Sequence, residues 1–139
     1  MKKIILFILL TVSTNVFAND TYLCIADKAT GFSFNKRSET YESTDFNIDK
    51  SKYILKKNNN TWEWKIFGID VPLCNGSISA NGYFRCDWLE TIIFNKNNLR
   101  YTKAHIFGYV NVGSKTYSGF EMKDGQETPY MEIGKCSPM

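Results

Sequence analysis

Few side chains in this sequence could do acid–base or nucleophilic chemistry. His105 is the one histidine of the 139-residue chain, and a catalytic histidine needs a nucleophile or an acid within reach. Asp87 and Glu90 are close enough in sequence to suggest a glycosidase carboxylate pair, but regular strand parity places them on opposite faces. Cys86 could be a thiol nucleophile. We interpret His105 as a surface or rim residue and predict no catalytic residues.

Sequence motifs for catalysis and metal binding are also missing. The chain contains no G-x-S-x-G, H-E-x-x-H or P-loop pattern. A single histidine excludes the common zinc sites that use several histidines. The sequence therefore predicts a non-enzymatic protein with no cofactor and no metal.

Four cysteines, Cys24, Cys74, Cys86 and Cys136, are the next chemical feature. An even number of cysteines in an exported chain predicts two disulfides, and four cysteines allow three pairings. We favour Cys24–Cys136, which would join the two ends of the domain, and Cys74–Cys86, which would staple one hairpin. A four-cysteine metal site is the alternative, but no C-x2-C pair is present.

The N-terminus has the three parts of a signal peptide. Lys2 and Lys3 precede an apolar run at residues 4–10, and Ala18 provides a small residue for cleavage. The apolar run is too short to span a bilayer, which argues against a membrane anchor. We predict a signal peptide over residues 1–18 and one secreted domain over 19–139, either periplasmic or released.

The charge of the mature protein argues against a nucleic-acid partner. Removing Lys2 and Lys3 with the signal peptide would lower the formal net charge from +3 to about +1. The remaining basic residues are scattered, whereas nucleic-acid binding needs a clustered basic surface.

Short runs rich in aromatic and β-branched residues alternate with Asn, Gly, Asp and Lys clusters, which is typical of an all-β protein. The predicted strands and the predicted hairpin (77–88) cover residues 21–26, 31–36, 45–48, 52–57, 61–67, 77–88, 90–95, 99–112 and 129–135. A long polar loop is predicted at 113–128. Roughly eight to ten short strands predict a small antiparallel barrel or a sandwich. A disulfide between the first and last strands favours the barrel.

Two details of this prediction concern register and parity. A loop over 78–82 would place Cys74 opposite Cys86, whereas a tight Asn81-Gly82 turn would pair Cys86 with Ser77. In the run 99–112, alternation assigns one set of residues to the core: Ala104, Ile106, Gly108, Val110 and Val112. It assigns a second set to the opposite face: Tyr101, Lys103, His105, Phe107 and Tyr109.

Aromatic residues are the candidates for binding. Trp62 and Trp64 share a strand face, Trp88 is predicted to lie near them, and Tyr109 is on the non-core face of its run. These four residues could line a cavity for an apolar ligand or anchor a protein partner. Packing in the core of a small barrel is the alternative.

Three segments resemble a family of small exported proteins from proteobacteria and their phages. They are YLCIADKATGF at 22–32, FNKNNLR at 94–100 and MEIGKCSP at 131–138. The resemblance implies a bacterial or prophage origin and transfers no catalytic residues. A weaker likeness is to the periplasmic inhibitors of c-type lysozyme, which are small exported β-barrels with Tyr-x-Cys near the start. Their Ser-Gly-x-x-Tyr loop is matched here only by Ser118-Gly119-Phe120.

Taken together, these features predict a non-enzymatic periplasmic binding or inhibitory module whose partner is a periplasmic or cell-wall protein. One alternative is a carrier of a small apolar ligand inside the barrel. The other is a cell-wall hydrolase that uses Asp87, Glu90 or His105.

Overall fold

A computed structural model describes residues 20–110, 112–114, 119 and 121–139. Nine strands and one turn of helix follow in chain order. They are β1 (Thr21–Asn35), β2 (Thr40–Asp45), β3 (Lys52–Asn58), β4 (Thr61–Ile66), β5 (Pro72–Gly76), β6 (Tyr83–Asp87), β7 (Thr91–Asn95), β8 (Arg100–His105), α1 (Phe107–Val110) and β9 (Tyr130–Pro138). The predicted signal peptide lies outside the described residues, and so do Ser118 and Phe120 of the inhibitor-like tripeptide.

The strands form a nearly closed antiparallel barrel with two disulfides, which confirms the predicted fold class. Hydrogen bonding runs in the order β5-β4-β3-β1-β9-β8-β7-β6, and β2 pairs with β1 outside this path. The first and last strands are neighbours, and Cys24 lies directly opposite Cys136 with Cα atoms 3.9 Å apart. In the described part of the chain, no helix is long and apolar enough to cross a membrane.

The barrel has a seam where β5 and β6 meet. An isolated bridge pairs Ile78 with Phe84, and the Cys74–Cys86 disulfide joins the two strands with Cα atoms 6.2 Å apart. The bridge encloses residues 79–83, so the hairpin register matches neither predicted loop. The Cys74–Cys86 disulfide is nevertheless present. It joins β5 and β6 across the seam, where a single bridge and not a regular ladder of hydrogen bonds pairs the two segments.

The first strand is longer than predicted and continues into an arm. The segments predicted as separate strands at 21–26 and 31–36 are one strand, with a register shift between Ala26 and Lys28. A bulge absorbs the extra residue and lets the strand continue. Its far end pairs with β2, which covers 40–45 instead of the predicted 45–48. The β1–β2 hairpin contacts α1 through Tyr41 and Tyr109, whose ring centroids are 5.2 Å apart.

Aromatic side chains fill the barrel interior. Trp64 is fully buried, with its ring centroid 5.1 Å from those of Tyr53 and Tyr101. Trp62 is also buried and packs against Tyr22 at 5.9 Å. The two tryptophans share the inward face of β4, as alternation predicts, and their role is core packing.

The run 99–112 departs from the prediction in both length and orientation. Strand β8 ends at His105, opposite Tyr130, because β9 begins there and β7 begins at Thr91, opposite Ala104. Without partner strands the chain turns into α1. The predicted faces are also inverted: Tyr101 and Lys103 are buried, whereas Ile106 is exposed.

Candidate functional site

The barrel has one end at which four connections meet, here called the mouth. Up-and-down connectivity brings the 46–51, 67–71 and 88–90 segments to this end, together with residues 126–129 before β9. Loops on a rigid scaffold are the usual place for binding residues. The mouth is therefore the part of the fold most suited to recognition.

Two clefts open at the mouth. The first has a volume of about 600 Å³. Its lining comprises Ala29, Phe46, Asn47, Ser51, Glu90, Lys103, His105, Glu127, Thr128, Tyr130 and Glu132. The second has a volume of about 400 Å³. Its lining comprises Lys50, Tyr53, Ile66, Leu73, Cys74, Trp88, Leu89, Glu90, Ile92, Lys103 and His105. Glu90, Lys103 and His105 line both clefts and so form their common floor.

Lys103 is the buried cation of this floor. Its side chain is 8% exposed, and its Nζ lies 3.4 Å from Glu90 Oε1. The ammonium also lies 4.9 Å from the ring centroid of Tyr53 and 5.2 Å from that of Tyr130, within cation–π range.

The pKa of Lys103 is raised above its ordinary value by these neighbours. Burial acts to lower the pKa, but hydrogen bonds to Tyr130 and Tyr53 act in the opposite direction and prevail. The negative charge of Glu90 adds to the increase. Lys103 is therefore a charged residue whose donors are already engaged.

Glu132 is a second buried charged residue, directly opposite Lys103 in the pairing of β8 with β9. The residue is 2% exposed, and both carboxylate oxygens accept hydrogen bonds. The Tyr53 hydroxyl donates to Oε2 at 3.2 Å, and the Tyr101 hydroxyl donates to Oε1 at 2.8 Å. Burial and the Glu132 charge raise the pKa of Tyr101, which keeps its hydroxyl protonated as a donor. These two hydroxyl donors satisfy a carboxylate that would otherwise be costly to bury.

Tyr130 links β9 to the 88–90 turn. Its hydroxyl donates a hydrogen bond to Glu90. Burial, followed by this hydrogen bond, raises the pKa of Tyr130 from the ordinary tyrosine value of 10.0 to about 12. Glu90 thus receives both a hydroxyl donor and the Lys103 ammonium.

These raised pKa values predict a loss of stability at alkaline pH. The unfolded chain releases the Tyr130 proton near pH 10, whereas the folded protein holds it to about pH 12. The contribution of Tyr130 to the free energy of unfolding is therefore complete below the pKa of the unfolded state. It is lost as the pH rises through the pKa of the folded state. Lys103 and Tyr101, whose pKa values are also raised, act in the same direction. We expect urea unfolding to show a lower free energy of unfolding at about pH 11 than at about pH 9.

The Tyr130→Phe variant checks the cause of this alkaline effect. It should show a smaller drop in the free energy of unfolding over the same pH interval, because one of the contributing protons is absent. A wild-type free energy of unfolding that is flat or rises over the interval would contradict the assignment.

His105 makes two polar contacts across the mouth. Its Nδ1 lies 2.9 Å from the Leu89 carbonyl oxygen, and its Nε2 lies 3.1 Å from Glu127 Oε2. The ring stacks on Tyr130, with centroids 6.2 Å apart. Because both nitrogens are engaged, the ring must break a contact before it can act as a general base.

The rim of the mouth is apolar. Trp88 is 73% exposed and Leu89 is 70% exposed. Leu73, from the strand across the seam, lines the same cleft. Three further exposed apolar residues lie on the neighbouring 67–71 segment: Phe67, Ile69 and Val71. Exposed apolar clusters of this kind mark interaction sites.

The four predicted binding residues occupy three different places. Trp62 and Trp64 are in the core, and Trp88 is on the rim rather than near them. Tyr109 is exposed and lines a third groove of about 670 Å³, beside Phe32 and Met131, which shares His105 and Tyr130 with the first cleft. Of the four, only Trp88 belongs to the mouth.

Sequence reasoning missed the burial of Lys103 and Glu132. Lys103 was predicted to lie on the face opposite the core, and Glu132 was not singled out. One signal could have revealed the burial of Lys103. It lies two residues after Tyr101, and alternate residues of a strand share a face, so a buried Tyr101 places Lys103 on the buried side as well.

Of the catalytic candidates that the sequence offered, the structure brings Glu90 and His105 to the same cleft floor, but not Asp87 or Cys86. Asp87 pairs with Arg85, with 2.6 Å between Oδ2 and Nε, and this hydrogen bond lowers the pKa of Asp87. Glu90 faces the clefts and pairs with Lys103. Cys86 is in a disulfide. Within the described ranges, no group of three or more His, Cys, Asp or Glu side chains is placed to hold a metal ion.

Comparisons of the chain with protein-family models, with curated proteins and with solved structures found no match. The two disulfides are compatible with an exported protein.

Proposed function

We propose that the chain is an exported, non-enzymatic binding or inhibitory module that engages a protein partner through the mouth. The observation that carries this proposal is the exposure of Trp88 and Leu89 on a turn that borders a cleft. Large exposed apolar side chains at a cleft are costly to leave in water and are the usual anchors of protein interfaces.

The lining of the clefts suggests the chemistry of the partner surface. Glu90 and Glu127 are partly exposed, whereas Lys103 is buried with its donors engaged. A partner therefore meets carboxylate oxygens inside the clefts and apolar side chains at the rim. The complementary surface presents an apolar side chain next to a lysine or arginine, which could pair with these carboxylates.

The packing of the interior supports a binding module over a ligand carrier. Trp64, Phe84 and Phe94 are fully buried and occupy the volume in which a carrier would hold an apolar ligand. The engagement of Asp87 with Arg85, and of His105 with Leu89 and Glu127, likewise gives little support to the hydrolase alternative.

Export is part of the same proposal. The predicted signal peptide over residues 1–18, the two disulfides and the resemblance to small exported proteins of proteobacteria and their phages support a periplasmic or released protein. The partner is then a periplasmic or cell-wall protein.

A capture experiment with matched variants tests the proposal. Immobilised mature protein is incubated with periplasmic and cell-wall extract, and bound proteins are identified by mass spectrometry. The Trp88→Ala/Leu89→Ala variant should lose the captured protein by tenfold or more, because anchor residues contribute about 2 kcal/mol or more each. The control is Tyr83→Ala, which removes an exposed aromatic residue at the other end of β6.

The two variants separate the outcomes. Loss of capture with the rim variant and retention with Tyr83→Ala supports the mouth as the binding surface. Capture that is unchanged in the rim variant, or no specific protein captured at all, overturns the proposal.

A further inference from the structure

The strands β5 and β6 are joined differently at the two ends of the seam. In the described part of the chain, β5 forms a ladder with β4 alone and β6 with β7 alone. At the end away from the mouth, the connection 77–82 and the Ile78–Phe84 bridge join the two strands. Toward the mouth, the Cys74–Cys86 disulfide joins them. Among the described strands, no ladder of hydrogen bonds reinforces this disulfide.

Close packing joins the strands on the connection side of the disulfide. Gly76 approaches β6 so closely that a Cβ atom there would lie 2.7 Å from the Arg85 carbonyl oxygen and 2.9 Å from the Phe84 ring. This contact does not depend on the two sulfur atoms. Loss of the disulfide would therefore free the mouth end of the seam while the other end stays joined.

The Cys24–Cys136 disulfide has the opposite setting. Cys24 is on β1, which pairs with β9 on one side and with β3 on the other, and paired residues of β1 and β9 flank the disulfide in both directions. Exposure does not separate the two disulfides, because Cys74 and Cys136 are each 6% exposed. The surrounding strands do separate them, since local opening of an unladdered seam costs less free energy than opening a ladder.

The mouth end of the seam borders the second cleft. Cys74 lines this cleft together with Leu73 and Trp88, whereas Cys24 and Cys136 line neither cleft of the mouth. Leu73 directly precedes Cys74, and Trp88 follows Cys86 by two residues. A small thiol that enters the cleft therefore comes next to Cys74, and a separation of the two sulfur atoms would change the rim within two residues.

We propose that the Cys74–Cys86 disulfide is a redox-sensitive switch of the mouth. A dithiol reduces it selectively, the mouth end of the seam opens, and the rim residues Leu73 and Trp88 are no longer held beside each other. The Cys24–Cys136 disulfide stays intact and keeps the barrel folded. The regulatory role rests on the proposed function, because the rim is the proposed binding surface.

The reaction is thiol–disulfide exchange with a dithiol as the reductant. A thiolate of the dithiol attacks the Cys74 sulfur and forms a mixed disulfide, and the Cys86 sulfur leaves as a thiolate that takes up a proton. The second thiolate of the dithiol then attacks its own sulfur in the mixed disulfide and releases the Cys74 thiolate, which is also protonated. Two electrons and two protons pass to the cysteines, and the dithiol is oxidised to a disulfide.

A redox titration of the mature protein tests the selectivity. The oxidised protein is equilibrated with graded ratios of reduced to oxidised dithiothreitol, free thiols are alkylated, and mass spectrometry of peptides identifies the modified cysteines. We expect Cys74 and Cys86 to be reduced at a ratio about tenfold or more below the one that reduces Cys24 and Cys136, because the β1–β9 ladder holds the second pair of thiols together.

Amide hydrogen exchange tests the opening of the seam. At the ratio that reduces Cys74–Cys86 alone, exchange at 72–74 and 86–90 should speed up about tenfold or more, because local opening no longer has to work against the disulfide. Exchange in the β1–β9 ladder around Cys24–Cys136 should not change.

Two variants provide the controls. Cys74→Ser/Cys86→Ser should show the fast exchange at 72–74 and 86–90 without any reductant. Cys24→Ser/Cys136→Ser keeps the seam disulfide, so exchange at the same residues should stay as slow as in the oxidised wild type. The partly reduced wild-type protein gives the same measurement if a variant does not fold.

The outcomes are distinct from those of the capture experiment alone. Reduction of Cys24–Cys136 first, or of both disulfides at one ratio, overturns the switch, and so does unchanged exchange at the seam after selective reduction. Selective reduction with faster exchange supports the switch even if no partner is captured, in which case the proposed function fails alone. If a partner is captured, equal capture by the oxidised and the selectively reduced protein overturns the control of the mouth.

Discussion

Replacing Cys24 and Cys136 together with alanine is expected to lower the free energy of unfolding by about 5 kcal/mol, the largest effect of any substitution proposed here. The two cysteines are 112 residues apart in sequence, so their disulfide closes a long loop in the unfolded chain and restricts its entropy strongly. They also lie opposite each other on the first and last strands, where the barrel closes. Urea unfolding monitored by tryptophan fluorescence measures the loss.

The Cys74→Ala/Cys86→Ala variant is the matched control. This disulfide spans only 12 residues in sequence, which corresponds to about 3 kcal/mol in the same model. A larger loss for this pair than for Cys24–Cys136 would contradict the entropic account. It would indicate that closing the β5–β6 seam, rather than joining the chain ends, dominates the stability of the barrel.

Replacing Lys103 with methionine is expected to destabilise the protein by about 3–5 kcal/mol, because it leaves a partly buried carboxylate without its cation. The methionine keeps most of the apolar length of the lysine side chain. The lost interactions are therefore the ion pair with Glu90 and the contacts with the Tyr53 and Tyr130 rings. Thermal and urea unfolding measure the effect.

An exposed pair offers the comparison. Arg85 and Asp87 are both largely solvent-exposed, so Arg85→Met should leave the free energy of unfolding nearly unchanged. Adding Glu90→Gln to Lys103→Met should recover part of the loss, because the unpaired charge is then removed. A Lys103→Met variant as stable as Arg85→Met would show that the floor of the mouth is not a buried charged network.

Much of the barrel could be predicted from local patterns. The strand of Trp62 and Trp64 alternates cleanly, and the even number of cysteines fixed the number of disulfides. The bulge between Ala26 and Lys28 could not be predicted, because it depends on pairing with β9 more than 100 residues away. The end of β8 likewise depends on where β7 and β9 begin.

The mouth was harder to predict for a related reason. The alternation of apolar residues predicted that Ala104 and Ile106 face the core. At the mouth end of the barrel, however, the interior contains the charged residues Lys103 and Glu132. Burial of Lys103 is favourable only because Glu90 and two tyrosines from other strands surround it. Trp88 was identified as a candidate because of its residue type, whereas its position on the rim follows from the seam and the adjacent turn.

Site-specific photo-crosslinking in cells that export the protein tests the binding mouth most directly. A benzophenone amino acid replaces Trp88 in one variant and Tyr83 in the other, and the cells are irradiated. If the mouth is the binding surface, a discrete adduct with one periplasmic or cell-wall protein forms from position 88 and not from position 83. Absence of an adduct at 88, or the same adducts from both positions, would contradict the account.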